Sequence, residues 1–308
     1  MLGLLFAGQG AQYVGMGRDL YDSFPASRDV FELADEVLGF SLSAMCFKGP
    51  AEELTRTQNC QPAVLTVSLA AFAAYNACLP EREDKDRSYA AGLSLGEYSA
   101  LVAAGALSFK DAVYLVRRRG EFMEEEAVRN PGRMLSLIGL DFAAVEKICR
   151  DTATEIANLN SPGQIVIAGG IKNIEEAARI AQERGAKRAI PLEVSGAFHS
   201  SFMQGASLKL AGELDKIKIN RPSMPVVSNV TARPEDSAEE IKANLIKQVA
   251  SSVRWEDSMK FILAKNVVNF VEFGPGKVLK GLMRRINPEV LVATVETKED
   301  IDKMSIGR

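Results

Sequence analysis

Short apolar runs alternate with longer segments of helical periodicity along this 308-residue chain. A strand that is buried on both faces of a sheet appears as a continuous apolar run, and parallel sheets are built from such strands. The alternation therefore predicts an α/β fold with a largely parallel sheet. The predicted strands of this sheet are residues 2–6, 89–91, 226–229 and 268–273.

The pattern changes between Gly132 and Glu193 to the order strand, helix, strand, strand, helix, strand. This is the order of a ferredoxin-like module. The predicted strands are residues 134–140, 154–159, 164–168 and 188–192, and the predicted helices are residues 142–150 and 174–183. Because the larger α/β pattern resumes afterwards, we interpret residues 129–194 as a small inserted subdomain. Residues 1–128 and 195–308 then form the large domain, with a cleft between the two bodies.

The apolar segment 62–79 approaches the length of a membrane span. Polar residues interrupt it at positions 66, 68, 75 and 76, and a proline suits the first position of a helix. We therefore predict a buried core helix that begins at Pro62. The charged segment 81–87 that follows is predicted to be a surface connection.

The composition is that of an ordinary globular protein, with 47% hydrophobic and 25% charged residues. The 37 basic and 40 acidic residues give a net charge of -3, so overall charge favours neither nucleic acid nor a membrane surface as partner. The four cysteines lack CxxC spacing, which indicates reduced thiols in a cytoplasmic protein. The first seven residues lack the basic region of a signal peptide and are predicted to form a buried strand.

The pentapeptide Gly92-Leu-Ser-Leu-Gly96 follows a short apolar strand and precedes a helix-forming segment. In a nucleophile elbow the serine occupies a sharp strand-to-helix turn, so the residues that flank it must be small. Ser94 is therefore a candidate nucleophile, and the backbone N–H of Leu95 is a candidate oxyanion donor. An ordinary structural turn is the alternative explanation of the same pentapeptide.

The chain contains a single histidine, His199. A serine hydroxyl is a poor nucleophile until a positioned base accepts its proton. His199 is therefore the natural candidate for the base that serves Ser94. A histidine at the start of a helix that satisfies backbone groups is the alternative.

Arg119 interrupts an apolar stripe. Residues 109–124 are predicted to be helical, with Ser108 as N-cap, and Arg119 stands where the stripe requires a core residue. A buried guanidinium keeps its charge and needs an anionic partner. That partner is either an internal Asp or Glu or a substrate carboxylate held by bidentate hydrogen bonds. Arg117 and Arg118 lie off the stripe and are predicted to be solvated.

Gln9 lies in a glycine-rich turn directly after the first predicted strand. Gly8 and Gly10 allow the backbone to approach another atom closely. A phosphate-binding loop is the weaker interpretation, since no Gly-Lys-Ser/Thr sequence follows. If the first strand lies beside the elbow, the Gln9 N–H is a candidate for a second oxyanion donor.

Together these motifs resemble those of the malonyl-CoA:acyl carrier protein transacylases of bacterial fatty acid synthesis, and the resemblance spans essentially the whole chain. The motifs that carry it, in the family's order, are Gly8-Gln-Gly10, Gln61-Pro62-Ala63, Gly92-Leu-Ser-Leu-Gly-Glu-Tyr-Ser-Ala100, Arg119-Gly120, Asn160-Ser-Pro-Gly-Gln164, Phe198-His-Ser200 and Gly274-Pro-Gly276. The resemblance implies a hydrolase-like α/β domain that carries a ferredoxin-like insertion, in agreement with the pattern described above.

The resemblance also implies a role for each candidate residue. Ser94 would be acylated, and His199 would act as general base and acid. Arg119 would bind the malonyl carboxylate. The backbone amides of Gln9 and Leu95 would form the oxyanion hole.

In the family a backbone carbonyl, rather than an acidic side chain, orients the histidine, and we expect this carbonyl in the segment Val253-Arg254-Trp255. Two positions depart from the family pattern. Leu93 stands where histidine is usual before the nucleophile, and Ala7 stands where proline is usual. Phe198, directly before the histidine, favours malonyl over methylmalonyl in related acyltransferases.

The implied reaction moves a malonyl group from malonyl-CoA, through Ser94, to the phosphopantetheine thiol of an acyl carrier protein. Malonyl-CoA is then a substrate, and neither a cofactor nor a metal is implied. We expect a monomeric cytoplasmic protein with no nucleic-acid or membrane partner. Lys277, Lys280 and Arg284 share one face of a predicted helix and are candidates for docking an acidic carrier, with a merely solvated face as the alternative.

Three other functions share these motifs. A trans-acting acyltransferase of a polyketide synthase would differ only in its carrier protein. A serine thioesterase or other hydrolase would transfer the acyl group to water and would leave Arg119 without a role. A non-catalytic carrier-binding module would leave Ser94 unacylated.

Overall fold

A computed structural model describes residues 1–78 and 89–306, so the predicted surface connection at 81–87 lies outside the described residues. Its strands, in chain order, are β1 (Leu2–Phe6), β2 (Tyr89–Gly92), β3 (Gly132–Ile138), β4 (Glu155–Ser161), β5 (Gln164–Gly170), β6 (Arg188–Pro191), β7 (Val226–Val227), β8 (Pro234–Glu235), β9 (Asn269–Phe273) and β10 (Leu291–Val295).

Among the described residues, helices connect most of these strands, and five of them lie between β1 and β2. In chain order they are α1 (Arg18–Ser23), α2 (Pro25–Leu38), α3 (Leu42–Lys48), α4 (Ala51–Thr55), α5 (Thr57–Cys78), α6 (Gly96–Ala103), α7 (Phe109–Arg129), α8 (Phe142–Thr152), α9 (Ile171–Glu183), α10 (Gln204–Leu214), α11 (Ala238–Gln248), α12 (Trp255–Leu263), α13 (Val278–Ile286) and α14 (Lys298–Ile306). A short 3-10 turn, Ser201–Met203, precedes α10.

The large sheet has the order β10-β9-β1-β2-β7-β8 and is parallel except for the edge pair β7–β8. Its register places Phe6 at the end of β1 opposite both Gly92 and Phe273. The loops that leave the carboxyl ends of the three central strands therefore meet at one edge of the sheet, where parallel α/β folds bind their ligands.

Both faces of the large sheet are covered. Leu4 and Phe6 of β1 belong to one apolar cluster, with side chains from α2, α5 and α7. Leu5, between them, belongs to a second cluster with side chains from α12 and α13. Successive strand residues thus enter opposite cores, which explains why the strand sequence is uninterruptedly apolar.

The small sheet is antiparallel, with the order β4-β5-β3-β6. The helices α8 and α9 contribute to its separate apolar cluster. This is the arrangement expected of a ferredoxin-like βαββαβ unit. The predicted fold class is confirmed, while the boundaries of the subdomain at 129–194 stay a prediction.

The small sheet is joined to the large domain at Val253. Its backbone N–H donates to Ala157 O at 2.9 Å, and its carbonyl accepts from Leu159 N at 2.9 Å. The edge strand β4 is therefore paired with the segment that connects α11 and α12.

Two strands, β8 and β10, were not predicted, and the strand predicted at 226–229 is half as long as expected. β8 is only two residues long, and β10 is an edge strand in which Val295 is the buried member. β7 ends at Val227 rather than at Asn229. The Asn229 N–H donates to a carboxylate oxygen of Glu97 at 3.0 Å, so it is not available to the sheet.

The prediction that a helix begins at Pro62 is wrong, because α5 begins at Thr57 and contains the proline. Proline has no N–H, which leaves the carbonyl of Gln58 without its helical donor. Arg117 Nη1 donates to that carbonyl at 3.3 Å.

The prediction that Arg117 is solvated is therefore wrong. Only 22% of its side chain is exposed, and it also forms hydrogen bonds with Asn59 and Glu121. Arg118 is also only partly exposed, and it pairs with Glu121 too. Among the described residues, no helix has the combined length and hydropathy needed to cross a membrane.

Candidate active site

The elbow that carries Ser94 lies between β2 and α6. Ser94 has a φ of 53°, in the left-handed region that a residue with a side chain enters only at an energetic cost. A Cβ on Gly92 would lie 1.9 Å from the carbonyl carbon of Gly96, and a Cβ on Gly96 would lie 2.2 Å from Phe6 O. Glycine at both positions is therefore a steric requirement of this turn.

Asn229 holds the elbow in place. Its Oδ1 accepts a hydrogen bond from the Ser94 N–H at 2.6 Å, and its Nδ2 donates to Gly92 O at 2.8 Å. The side chain is fully buried. We did not predict this role from the sequence; its only signal was a polar residue that follows an apolar strand at the carboxyl edge of a parallel sheet.

His199 lies against the nucleophile, with Nε2 2.8 Å from Ser94 Oγ. Its Nδ1 lies 2.8 Å from the carbonyl oxygen of Gln248, the last residue of α11. A carbonyl can only accept, so Nδ1 carries the proton and the Ser94 hydroxyl donates to Nε2. This is the protonation state in which the imidazole can take the serine proton.

The prediction that the orienting carbonyl comes from Val253-Arg254-Trp255 is wrong. The Val253 carbonyl is already bonded to Leu159 N, where β4 pairs with the segment between α11 and α12. The Gln248 carbonyl can accept from His199 because the last carbonyls of a helix have no partner within the helix; the Ser251 N–H donates to the same oxygen at a longer distance, 3.4 Å.

Burial, and to a smaller extent the positive charge of Arg119, lowers the pKa of His199 from its ordinary value to about 4. The imidazole is thus neutral at physiological pH and able to accept a proton.

Arg119 is 1% exposed, and its hydrogen bonds go to uncharged groups. Nη1 donates to Gln61 Oε1 at 2.7 Å, while Nη2 donates to Ser94 Oγ at 3.0 Å and to Gln248 Oε1 at 3.1 Å. Within the described residues its Nε has no partner. Glu97 attracts the guanidinium through space, and the hydrogen bonds that connect the two side chains pass through Gln248. A buried cation without a directly bonded carboxylate is open to an anionic ligand.

The Gln9 turn lies next to the elbow, since β1 and β2 are neighbours and the Leu93 N–H donates to Phe6 O at 3.3 Å. A Cβ on Gly8 would lie 2.5 Å from Leu93 O, so glycine permits this close approach. Across residues 1–78 and 89–306, neither the Gln9 N–H nor the Leu95 N–H donates a hydrogen bond. Both donors are available to a developing oxyanion.

Leu93 is partly buried and packs against the apolar cluster that includes Val253 and Trp255. The position before the nucleophile therefore contributes apolar packing in this chain.

A cavity of about 620 Å³ opens beside the Gln9 turn. Its wall includes Thr57, Val128, Val194 and Ser195, so it lies where the large domain meets the chain segment that returns from the small sheet. Gln9 Nε2 donates to Thr57 Oγ1 at 3.3 Å and thereby links this wall to the candidate oxyanion donor.

Comparison with known proteins gives one consistent family. Residues 4–301 match the model of the acyl transferase domain family. The malonyl CoA-acyl carrier protein transacylase of Bacillus subtilis is 47% identical over 307 residues, which cover 98% of this chain and 95% of that protein.

Solved structures agree with this assignment. An acyl-carrier-protein S-malonyltransferase from Bartonella henselae is 42% identical, has a TM-score of 0.94 and is matched over 98% of each chain. A malonyl-transacylase in complex with a type II polyketide synthase acyl-carrier protein is 38% identical and has a TM-score of 0.95 over 100% of this chain and 99% of that one.

Proposed function

The chain belongs to the acyl transferase domain family, and on that premise we propose that Ser94, His199 and Arg119 carry out its reaction. The protein is an acyltransferase that moves the malonyl group of malonyl-CoA to the phosphopantetheine thiol of acyl carrier protein. The observation that carries the proposed residue roles is the buried Arg119, which bonds the nucleophile itself and no carboxylate directly.

The first half-reaction loads the enzyme. Ser94 Oγ attacks the thioester carbonyl carbon of malonyl-CoA while its proton passes to His199 Nε2. The carbonyl oxygen becomes an oxyanion that accepts hydrogen bonds from the Gln9 and Leu95 amides. The carbon–sulfur bond then breaks, and coenzyme A leaves with the proton from Nε2.

The second half-reaction reverses these steps with a different thiol. The phosphopantetheine thiol of the carrier gives its proton to His199 Nε2 and attacks the malonyl ester on Ser94. When the ester bond breaks, Ser94 Oγ recovers the proton. A malonyl-serine intermediate therefore separates the two thiols in a ping-pong mechanism.

Arg119 selects the acyl group. A malonyl carboxylate would supply the negative charge that the bonded oxygens of Gln61, Ser94 and Gln248 lack, through the planar fork of the guanidinium. An uncharged acyl group would leave the buried cation uncompensated, so acetyl transfer is disfavoured. A serine hydrolase would share Ser94 and His199 but would gain nothing from this arginine.

The second candidate for the acceptor is a polyketide synthase carrier, because a structurally similar malonyl-transacylase was solved with such a carrier. We propose the fatty-acid carrier as the main acceptor, in line with the similar transacylase of Bacillus subtilis.

We also propose a cytoplasmic location, with malonyl-CoA as substrate and no bound cofactor. The four cysteines are free thiols, and three of them are buried. Burial raises the pKa of Cys60 to about 12, which makes that thiol unreactive. The monomeric state stays a prediction.

For the carrier we propose docking on the exposed face of α13. Lys280 and Arg284 of this helix are exposed, and so is Lys277 directly before its first residue. The buried side chain of Glu272 stabilises the first turn of the helix, because it accepts hydrogen bonds from Leu279 N at 2.9 Å and Lys280 N at 2.8 Å. A rigid basic face of this kind suits an acidic protein partner.

Intact-protein mass spectrometry after brief incubation with malonyl-CoA tests the proposed roles. We expect a malonyl adduct that is absent in Ser94→Ala, weak with acetyl-CoA and discharged by added acyl carrier protein. Free malonate without a lasting adduct would indicate a hydrolase. Absence of any reaction would indicate a non-catalytic protein, and discharge by a polyketide carrier alone would identify that carrier as the acceptor.

A further inference from the structure

Glu97 is a buried carboxyl group that the transfer steps do not use. It lies in the first turn of α6, three residues after the nucleophile, and has no exposed surface. Its Oε2 accepts hydrogen bonds from Gln248 Nε2 at 2.6 Å and from the Asn229 N–H at 3.0 Å. Both donors belong to residues that hold Ser94.

Gln248 contacts each of the three residues assigned to the reaction. Its Nε2 donates to the backbone carbonyl of Ser94 at 3.0 Å, and its Oε1 accepts from Arg119 Nη2 at 3.1 Å. Its own backbone carbonyl accepts from His199 Nδ1 at 2.8 Å. The position of this buried residue therefore bears on the nucleophile, the base and the carboxylate-binding group together.

The amide of Gln248 can serve these partners in one orientation only. If the amide were turned over, its Nε2 would face the donor of Arg119, and its Oε1 would face the oxygens of Ser94 and Glu97. An acceptor at position 97 therefore stabilises the orientation in which Arg119 is bonded.

Asn229 provides a second connection. The same Oε2 of Glu97 accepts from the Asn229 backbone, while the Asn229 side chain accepts from the Ser94 N–H. One carboxyl oxygen thus accepts hydrogen bonds from two residues, Gln248 and Asn229, that each form a hydrogen bond with Ser94.

We propose that Glu97 is a positioning residue, which fixes Gln248 and Asn229 and through them the nucleophile elbow and Arg119. This inference rests on the proposed roles of Ser94, His199 and Arg119.

The role requires a hydrogen-bond acceptor rather than a negative charge. Burial raises the pKa of Glu97, so desolvation already favours the neutral form, against the attraction of Arg119. Glutamine has the same length and retains a carbonyl oxygen, whereas methionine has a similar length and no comparable acceptor.

A matched control lies close by. Glu235 is also buried, and its pKa is raised by burial and by the charge of Glu97. Its Oε1 accepts from Asn244 Nδ2 at 2.9 Å, and it has no hydrogen bond to Gln248. Replacing Glu235 thus removes a buried carboxyl group without removing an acceptor from Gln248.

The test compares Glu97→Met, Glu97→Gln and Glu235→Met with the unchanged protein. The readout is the rate at which a fluorophosphonate probe labels Ser94, per folded molecule, with malonyl loading measured in parallel. We expect Glu97→Met to slow labelling at least about tenfold, because it removes both of the buried hydrogen bonds that Oε2 accepts. Glu97→Gln should recover most of the rate, and Glu235→Met should label like the unchanged protein.

The proposal is overturned if folded Glu97→Met labels like the unchanged protein, if Glu97→Gln is as slow as Glu97→Met, or if Glu235→Met is slowed equally. The probe carries no malonyl group, so its rates are independent of substrate choice. An unchanged protein that reacts with the probe but takes no malonyl from malonyl-CoA would refute the proposed function, while the variant rates would still decide the role of Glu97.

Discussion

The turn after β2 of the parallel sheet is crowded, whereas the turns of the antiparallel sheet at Gly163 and Gly185 are open. In the elbow after β2, a Cβ on Gly92 would meet a backbone atom at 1.9 Å. In the turn between β4 and β5, Gly163 has a φ of 70°, and the nearest atom to an added Cβ is 3.8 Å away. Gly185, before β6, has a φ of 86° and no atom within 4 Å of such a Cβ. Of these three turns, the crowded one is the turn that carries Ser94.

The two regions also differ in whether their charged side chains are exposed or buried. The helices on the antiparallel sheet carry exposed ion pairs, such as Arg179 with Glu176 and Arg150 with Glu146, which contribute little to stability. At the edge of the parallel sheet, Arg119 and Glu97 are buried and are connected through the amide of Gln248. Parallel strands bring their carboxyl ends to one edge and so gather polar groups from distant parts of the chain.

The most direct test of this difference adds one methyl group to the elbow after β2 and one to the turn at Gly163. Gly92→Ala should lower the free energy of unfolding by about 3 kcal/mol or more, because no relaxation of a side chain can relieve the overlap. It should also reduce malonyl loading at least about 100-fold by displacing Ser94. Thermal unfolding and adduct formation measure the two effects.

Gly163→Ala is the control for backbone strain alone. It should cost about 1 kcal/mol, as for a side chain in the left-handed region, and leave loading unchanged. Equal losses in the two variants would show that the elbow is no more constrained than the hairpin.

The next test compares the two regions by the titration of an imidazole. Because the chain has one histidine, NMR reports His199 alone, and its pKa should be about 4. Arg119→Ala should raise that pKa, since a neighbouring positive charge is removed. An exposed histidine introduced on α9 by Gln182→His should titrate near the ordinary value of about 6.5.

The loading rate should follow the same group. The base must be neutral, so loading should be nearly constant above about pH 5 and fall as the pH drops through about 4. A midpoint near 6.5 for His199 would contradict a buried base.

The smallest expected effect concerns the carrier. Lys280→Glu on α13 should raise the KM for acyl carrier protein a few-fold, about 1 kcal/mol for a reversed surface charge at an interface, and leave loading from malonyl-CoA intact. Lys172→Glu on α9 makes the same exposed change beside the antiparallel sheet and should alter neither value. An unchanged KM for Lys280→Glu would remove this face from the docking surface.

Local patterns in the sequence predicted the elbow, the histidine and the buried arginine, because each has its signal within a few residues. The fold class followed from the spacing of apolar runs. Gln248 and Asn229 were missed because their partners lie 154 and 135 residues away and because Gln248 orients His199 with a backbone carbonyl. A helix end predicts carbonyls without helical donors, but no local pattern shows that His199 donates to this one.

Pro62 and Arg117 were misjudged for a related reason. A helix tolerates an internal proline when another side chain satisfies the released carbonyl, and that side chain is contributed by α7. The compensation depends on tertiary contact between α5 and α7, which the pattern of either helix alone does not contain.

The most direct test of the central claim is the ratio of malonyl to acetyl transfer onto Ser94 in the unchanged protein and in Arg119→Ala. If the buried guanidinium binds the malonyl carboxylate, the ratio should fall about 100-fold in the variant, mainly through loss of malonyl transfer. A variant that retains the malonyl preference of the unchanged protein would contradict the assignment of Arg119 and with it the proposed basis of substrate choice.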